Sequence, residues 1–335
     1  MDRTEIEQKI DILEDDIADI DLRLLDLLIK DKTTGQNILW CTTDYEGNGY
    51  GYEEESQITV PLITRKRTTV IQPRAAKSKK IRNMRIKKRA EVFTPSWICN
   101  EQNSQVDEAW FGRANVFNRP NGHGWETVKE PIVFPGGKKT WKAYVDAKRL
   151  EITCGEAPYL VSRYDTTTGE LIPVFDRIGL FDRKMRVVNE NCTTDEEWLH
   201  WSFRALHSIY GYEFQGDSVL IARENLLYDF IDYYEERLGK EPVFKLLKDV
   251  ANIIAWNIWQ MDGLKCVVPY SCHPTVENKQ LDFFGEETER YHPCPGCEKN
   301  DLFTHTGTYC RIFDWTHLKK SVLYISLFKG ETTNG

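Results

Sequence analysis

Apolar residues recur near the start of the chain at Ile6, Ile10, Leu13, Ile17, Ile20, Leu24 and Leu27, separated alternately by four and three positions. This spacing is a heptad seam and predicts one amphipathic helix of about three heptads within residues 1–30. Asp11, Glu14, Asp15, Asp16, Asp19 and Asp21 lie between the seam positions. Two parallel copies would repel, so the pattern favours packing onto another helix or a protein partner. Residues 31–64 alternate β-formers with a turn at Gly47, Gly49 and Gly51, which predicts a β-rich segment. Further on, Glu196 to Tyr210, Asn225 to Leu238 and Val243 to Trp259 read as helices between short apolar runs, an α/β pattern.

Charge divides the chain more sharply than hydropathy does. The net is −8, yet Arg65 to Ala90 holds twelve Lys and Arg and no acid, leaving −8 − 12 = −20 for the remainder. Residues 65–90 are therefore a basic arm on an acidic protein. Such an arm is either a solvated linker or a phosphate-contacting segment. On the second reading Arg74, Lys77, Lys79, Lys80, Arg82, Arg85, Lys87, Lys88 and Arg89 would meet DNA. With 41% hydrophobic residues and 10 Trp, the chain is not a disordered one. It has no apolar run of membrane-spanning length, and MDRTEIEQKI is too charged for a signal peptide. The expectation is a soluble, cytoplasmic protein whose nine Cys are reduced.

Four segments carry residue types suited to S-adenosylmethionine. Ala90-Glu91-Val92-Phe93-Thr94-Pro95 can offer the Thr94 hydroxyl and the backbone beside Pro95 to the amino-acid end of that cofactor. Leu150-Glu151-Ile152-Thr153-Cys154-Gly155-Glu156-Ala157 reads as a strand carrying an acid, then a glycine turn whose backbone can approach a nucleoside closely. A second glycine expected in that turn is replaced by Ala157. Ile209 to Glu213 reads as a strand whose terminal carboxylate can bind two ribose hydroxyls, with a helix opening near Asp217. Asp262, after the run Ile253 to Met261, can accept an adenine amino group.

In that order the strings AEVFTP, LEITCGEAPYL, IYGYEFQGDSVLIARENLL and NIWQMDGL resemble the adenine-specific DNA methyltransferases of restriction-modification systems, the restriction endonuclease subunit M proteins, over about residues 65–265. The resemblance implies a Rossmann-like α/β methyltransferase domain over 91–268. In it Thr94 and Pro95 hold the methionine part, Glu151 and Gly155 form the first cofactor loop, Glu213 takes the ribose and Asp262 the adenine. It also implies an insertion around Thr166 to Trp198, and DNA modification in a restriction or phage-defence system. The family's Asp/Asn-Pro-Pro-Tyr/Phe motif, which engages the flipped base, is missing from the sequence; Val268-Pro269-Tyr270 is the nearest string. A partner chain would then complete the catalytic site, or the protein is a non-catalytic DNA-binding adaptor on a decayed methyltransferase scaffold.

The C-terminal extension, 269–335, contains Cys294-Pro295-Gly296-Cys297. Two Cys on a tight turn suit a structural zinc site, with His305 and Cys310 as the expected remaining ligands and Cys272 and His273 further back. Two other chemistries leave weaker traces. Glu130 with Asp146-Ala147-Lys148 is the kind of cluster a metal-dependent nuclease uses. Gly136-Gly137-Lys138-Lys139-Thr140 departs from the phosphate-loop pattern at both of its defining positions.

Overall fold

The heptad seam is interrupted rather than folded as one continuous helix, and its first member, Ile6, lies outside the described residues. The computed structural model describes residues 10–67, 69–78, 82, 85, 94–281 and 287–328, and places α1 at Glu14–Ile20 and α2 at Leu22–Leu28. Asp21 between them is extended, with φ −170°, and its carboxylate accepts the Arg23 N–H at 2.9 Å. An aspartate N-cap thus outcompetes continuation of the helix. The break leaves one described seam position, Ile20, turned to solvent, while Leu27 still packs against the core. Ile10, Ile17 and Leu24 are buried, whereas Ile20 is 44% exposed. The buried positions pack within the chain.

Residues 31–64 form no strands. They hold single bridges such as Leu39↔Gln57 and a 3₁₀ turn at Thr43–Asn48. Ile38, Trp40, Tyr52 and Ile58 are nonetheless fully buried in the main core. Beyond the basic arm come α3 (Ser96–Phe111), a hairpin of β1 (Asn118–Asn121) and β2 (Gly124–Thr127), and α4 (Trp141–Asp146).

A parallel sheet organises the centre. Its strands are β3 (Arg149–Ile152), β4 (Ile209–Glu213) and β5 (Ile258–Gln260), in the order β3-β4-β5. Parallel neighbours require long crossovers. α5 (Leu180–Asn191) and α6 (Asp195–His207) provide the first, and α7 (Gly216–Leu238) and α8 (Phe244–Asn257) the second. α5 occupies the stretch expected as an insertion. Every residue of β4 is buried.

Alternation along the strands separates two cores. Ile209 and Ile258 join the main core with the helices, whereas Tyr210, Tyr212 and Trp259 pack with Met261, Cys266, Val268, Cys310 and Tyr324. This second core belongs to the C-terminal part. That part contains the hairpin β6 (Thr275–Leu281) and β7 (Glu287–His292), the short helix α9 (Pro295–Lys299), and the hairpin β8 (Arg311–Asp314) and β9 (Lys320–Leu323).

Two buried arginines and one glycine lock these layers. Arg223 on α7 donates to Leu28 O, Lys30 O, Ala255 O and Ile258 O, so one guanidinium serves carbonyls at the ends of both α2 and α8. Arg183 on α5 pairs with Asp107 on α3, whose other oxygen accepts the Tyr144 hydroxyl. Gly216 opens α7 so close to the N-terminal segment that a Cβ there would lie 1.9 Å from Leu39 O. No helix among the described residues is long and apolar enough to cross a membrane.

Candidate functional site

A cavity of about 820 Å³ opens at the carboxyl ends of β3 and β4, the side of a parallel sheet where strands give way to ligand-binding turns. Thr94, Glu151, Gly155 and Glu213 all line it, brought together from three separate stretches of chain. Gln102, Asn103, Thr153, Tyr159, Gln215 and Ser218 complete the polar part of the wall. Among the described residues no Lys or Arg lines it.

The two glutamates are held by backbone. Glu213 accepts Gly155 N at 3.0 Å through one carboxylate oxygen, and Phe214 N at 2.8 Å and Gln215 N at 3.2 Å through the other. It thereby ties the turn after β3 to the turn after β4. Glu151 accepts Leu160 N at 3.1 Å and Tyr159 N at 3.4 Å. A carboxylate has about four lone-pair sites, so each retains room for a ligand donor. Burial raises both pKa values, and the backbone N–H groups only partly oppose it.

Between them the chain is strained. Thr153, Gly155 and Ala157 have φ of +47°, +54° and +62°. Glycine takes such angles freely, but a β-branched threonine rarely does. Ala157 thus stands at a left-handed position that glycine would suit, and its N–H closes the turn on Cys154 O at 2.7 Å. Non-glycine residues persist there where surrounding contacts hold them, as ligand-gripping turns do.

Pro95 and Asp262 stay out of the cavity wall. Pro95 is the N-cap of α3, and the first helical N–H, from Ser96, goes to the Asp165 carboxylate at 2.7 Å. Asp262 sits in a turn after β5, where it caps Leu264 N at 3.1 Å and pairs with Lys265 at 3.1 Å. Gln260 closes the end of β5 instead. Its amide group exchanges hydrogen bonds with both Leu39 N and Leu39 O and donates to Phe214 O.

The basic arm is partly consumed inside the protein. Lys77 and Arg85 are buried and converge on Asp217 at 3.3 and 2.8 Å, beside the Tyr45 hydroxyl at 2.7 Å. Arg85 also donates to Gln215 Oε1 at 2.9 Å and pairs with Asp44. These two are core ion pairs, not phosphate contacts, because their partner Asp217 is buried at the start of α7. Burial would raise Asp217, but Arg85 and Lys77 outweigh it and hold the carboxyl below its usual range. Arg74 N meets Glu156 at 2.5 Å, and Arg82 N bonds Ser78 O. Lys79, Lys80, Lys87, Lys88 and Arg89 lie outside the described residues.

The C-terminal part assembles a second centre. Cys272, Cys294, Cys297 and His305 place one ligand atom each within 4.8 Å of one another, and the set could hold a metal ion. Among the described residues it is the one group of this kind. The three sulfurs lie 3.6, 3.6 and 3.7 Å from His305 Nδ1. Cys272 takes the place expected of Cys310, which is fully buried under β5 with its thiol toward Gln260 O. The reason is the β6–β7 hairpin. It pairs Thr275 with His292 and so returns the chain from Cys272 to Cys294. Burial opposes ionisation of the Cys294 thiol, but hydrogen bonds from Thr306, Cys297 and His305 bring it down to about 5.

The nuclease-like cluster does not assemble. Asp146 pairs with Arg204 at 2.7 Å, and Lys148 faces Asp314 at 3.8 Å. Asn103 is a functional candidate the sequence did not single out, and Cys272 is one it named but left outside the expected ligand set. A buried polar stripe on α3, Asn100, Asn103 and Asp107 at helical spacing, is the signal for the first. Compared with protein-family profiles, with curated proteins and with solved structures, the chain matches none.

Proposed function

We propose that the cavity at the ends of β3 and β4 binds S-adenosylmethionine, and that the chain is a DNA adenine-N6 methyltransferase-like subunit of a restriction-modification or phage-defence system, on a Rossmann-like methyltransferase fold. One observation carries this. Four residues of the cofactor pattern, Thr94, Glu151, Gly155 and Glu213, converge on one cavity that has two buried carboxylates and, among the described residues, no cationic side chain in its wall. Phosphate-bearing cofactors need N–H nests or Lys and Arg. A wall of acids and amides favours the reverse, a sulfonium cation with a ribose diol and an amine.

The residues divide the work by position. Beyond its three backbone donors Glu213 has about one lone-pair site left, so it can accept one ribose hydroxyl rather than both, and the exposed side chain of Ile152, 62% accessible, offers apolar surface to a base. Thr94 supplies a hydroxyl toward the methionine end, and Asn103, whose Nδ2 donates to Tyr159 O and Ile178 O, offers its Oδ1 as an acceptor. The Cys3His set fits zinc, three thiolates and one imidazole being a common structural donor set. It would brace the C-terminal part rather than take part in chemistry.

A non-catalytic adaptor is the second function, favoured by the lack of an Asp/Asn-Pro-Pro-Tyr/Phe string. Methyl transfer then needs that motif from a partner chain. Photo-crosslinking with radiolabelled S-adenosylmethionine tests the cofactor site. Label is expected within 150–159 or 213–218, competed by unlabelled cofactor and not by ATP. Label elsewhere, or none, rejects it.

A further inference from the structure

We infer that the metal centre braces the wall of the cavity: a Zn²⁺ ion held by Cys272, Cys294, Cys297 and His305 fixes the 268–272 turn, and that turn holds Tyr270 against Phe214 of the cavity.

The centre is built for a tetrahedral ion. With Zn–S of about 2.3 Å and Zn–N of about 2.05 Å, tetrahedral S···N edges are about 3.6 Å. The observed separations are 3.6, 3.6 and 3.7 Å. Four protein donors leave no open position, the mark of a structural rather than a catalytic site. Two glycines make the approach possible. A Cβ on Gly296 would lie 2.6 Å from the His305 ring, and one on Gly307 would lie 3.0 Å from Cys272 Sγ. Thr306 N donates to Cys294 Sγ at 3.2 Å, the outer hydrogen bond that a metal thiolate accepts.

From Cys272 the constraint passes directly to the cavity. Thr308 N donates to Ser271 Oγ at 3.0 Å, that hydroxyl donates to Val268 O at 2.6 Å, and Val268 N bonds Thr308 O at 2.8 Å. Tyr270 lies inside this stapled turn with φ +58°, a left-handed conformation that is strained for a tyrosine. Such strain persists only where neighbouring contacts over-determine it. A metal ligand two residues on is one such constraint. The Tyr270 ring stands edge-on to Phe214, centroids 5.9 Å apart. Phe214 lines the cavity, and its N–H bonds Glu213. Metal occupancy and cavity affinity are therefore coupled, and reciprocally so.

The brace stands on the contacts alone, while its effect on affinity rests on the proposed cofactor reading. Hydrogen exchange on the full chain tests the first part, comparing the zinc-loaded form, the chelated form and zinc-loaded Tyr270→Ala. The loaded protein should carry one zinc. Chelation should speed exchange at 268–272 and at the Phe214 and Gln215 amides. Tyr270→Ala should keep its zinc yet exchange faster at those two amides. Calorimetry with S-adenosylmethionine tests the second part, with affinity about fivefold weaker or more in both perturbed forms. Absence of zinc binding, or unchanged exchange at 214 and 215 in both forms, overturns the brace. Failure of the zinc-loaded wild type to bind the cofactor overturns the functional proposal and leaves the exchange result to decide the brace.

Discussion

Glu213→Ala removes a side chain that joins the turns after β3 and β4. Three N–H donors, from Gly155 at 3.0 Å, Phe214 at 2.8 Å and Gln215 at 3.2 Å, lose their acceptor. A buried donor left unsatisfied costs about 1–3 kcal/mol. Two effects offset part of that sum. The carboxylate's own burial, which raises its pKa, no longer has to be met, and the open cavity lets water reach the freed donors. The net loss of stability is expected at about 2 kcal/mol, read as a lower urea midpoint with unchanged slope. Losing one ribose hydrogen bond to a charged acceptor costs a further ~1.5–3 kcal/mol in cofactor binding, about tenfold to a hundredfold in Kd. Glu213→Gln keeps one oxygen and should fall between the two proteins in both assays. Unchanged stability in the alanine variant would refute the joining role. Lower stability with unchanged cofactor affinity would refute the ribose role.

Four other outcomes follow from the same contacts. Gly216→Ala drives a Cβ to 1.9 Å from Leu39 O, so the variant should lose at least ~3 kcal/mol of stability in a denaturant titration. Asp217→Asn breaks the pairs with Arg85 and Lys77 and should cost about 3–5 kcal/mol. Because Asp217 is depressed in the fold, its contribution is present above the unfolded value near ~3.9 and is lost as pH falls through the folded one; the asparagine variant should flatten that acid limb of the stability curve. Glu151 and Glu213 have the opposite sign. Their pKa values are raised, so they lower stability as pH rises from about 4.3 through the folded values, and affinity for a cationic cofactor should climb over the same window in pH-dependent calorimetry. Cys272→Ser should lose the metal and Cys310→Ser should keep it, by metal analysis of the purified variants; the reverse pattern would contradict the ligand set.

Much of the central unit was legible because local signals agreed there. The apolar run at Ile209 to Glu213 became β4, and the helix expected near Asp217 opens at Gly216. Glu151, Gly155 and Glu213 meet because residues at the ends of adjacent parallel strands must, once the register sets Glu151 beside Gly211. Other features depend on partners that periodicity does not name. The seam reads as one helix until the Asp21 carboxylate is seen capping the next one. Lys77 and Arg85 look like any member of a charge run, and only the fold supplies Asp217. By sequence Cys310 stands ahead of Cys272 because it lies nearer His305 along the chain, and the antiparallel return of β6–β7 reverses that choice. Asp262 closes an apolar run as expected, yet the chain turns there and spends its carboxylate on Leu264 and Lys265.

Calorimetric titration of the zinc-loaded chain with S-adenosylmethionine, alongside ATP and Glu213→Ala, addresses the cofactor cavity most directly. The acid-lined wall predicts saturable binding of one S-adenosylmethionine, weakened about tenfold or more by the substitution, and no binding of ATP. Binding of ATP in preference, or no heat from S-adenosylmethionine at all, would contradict it.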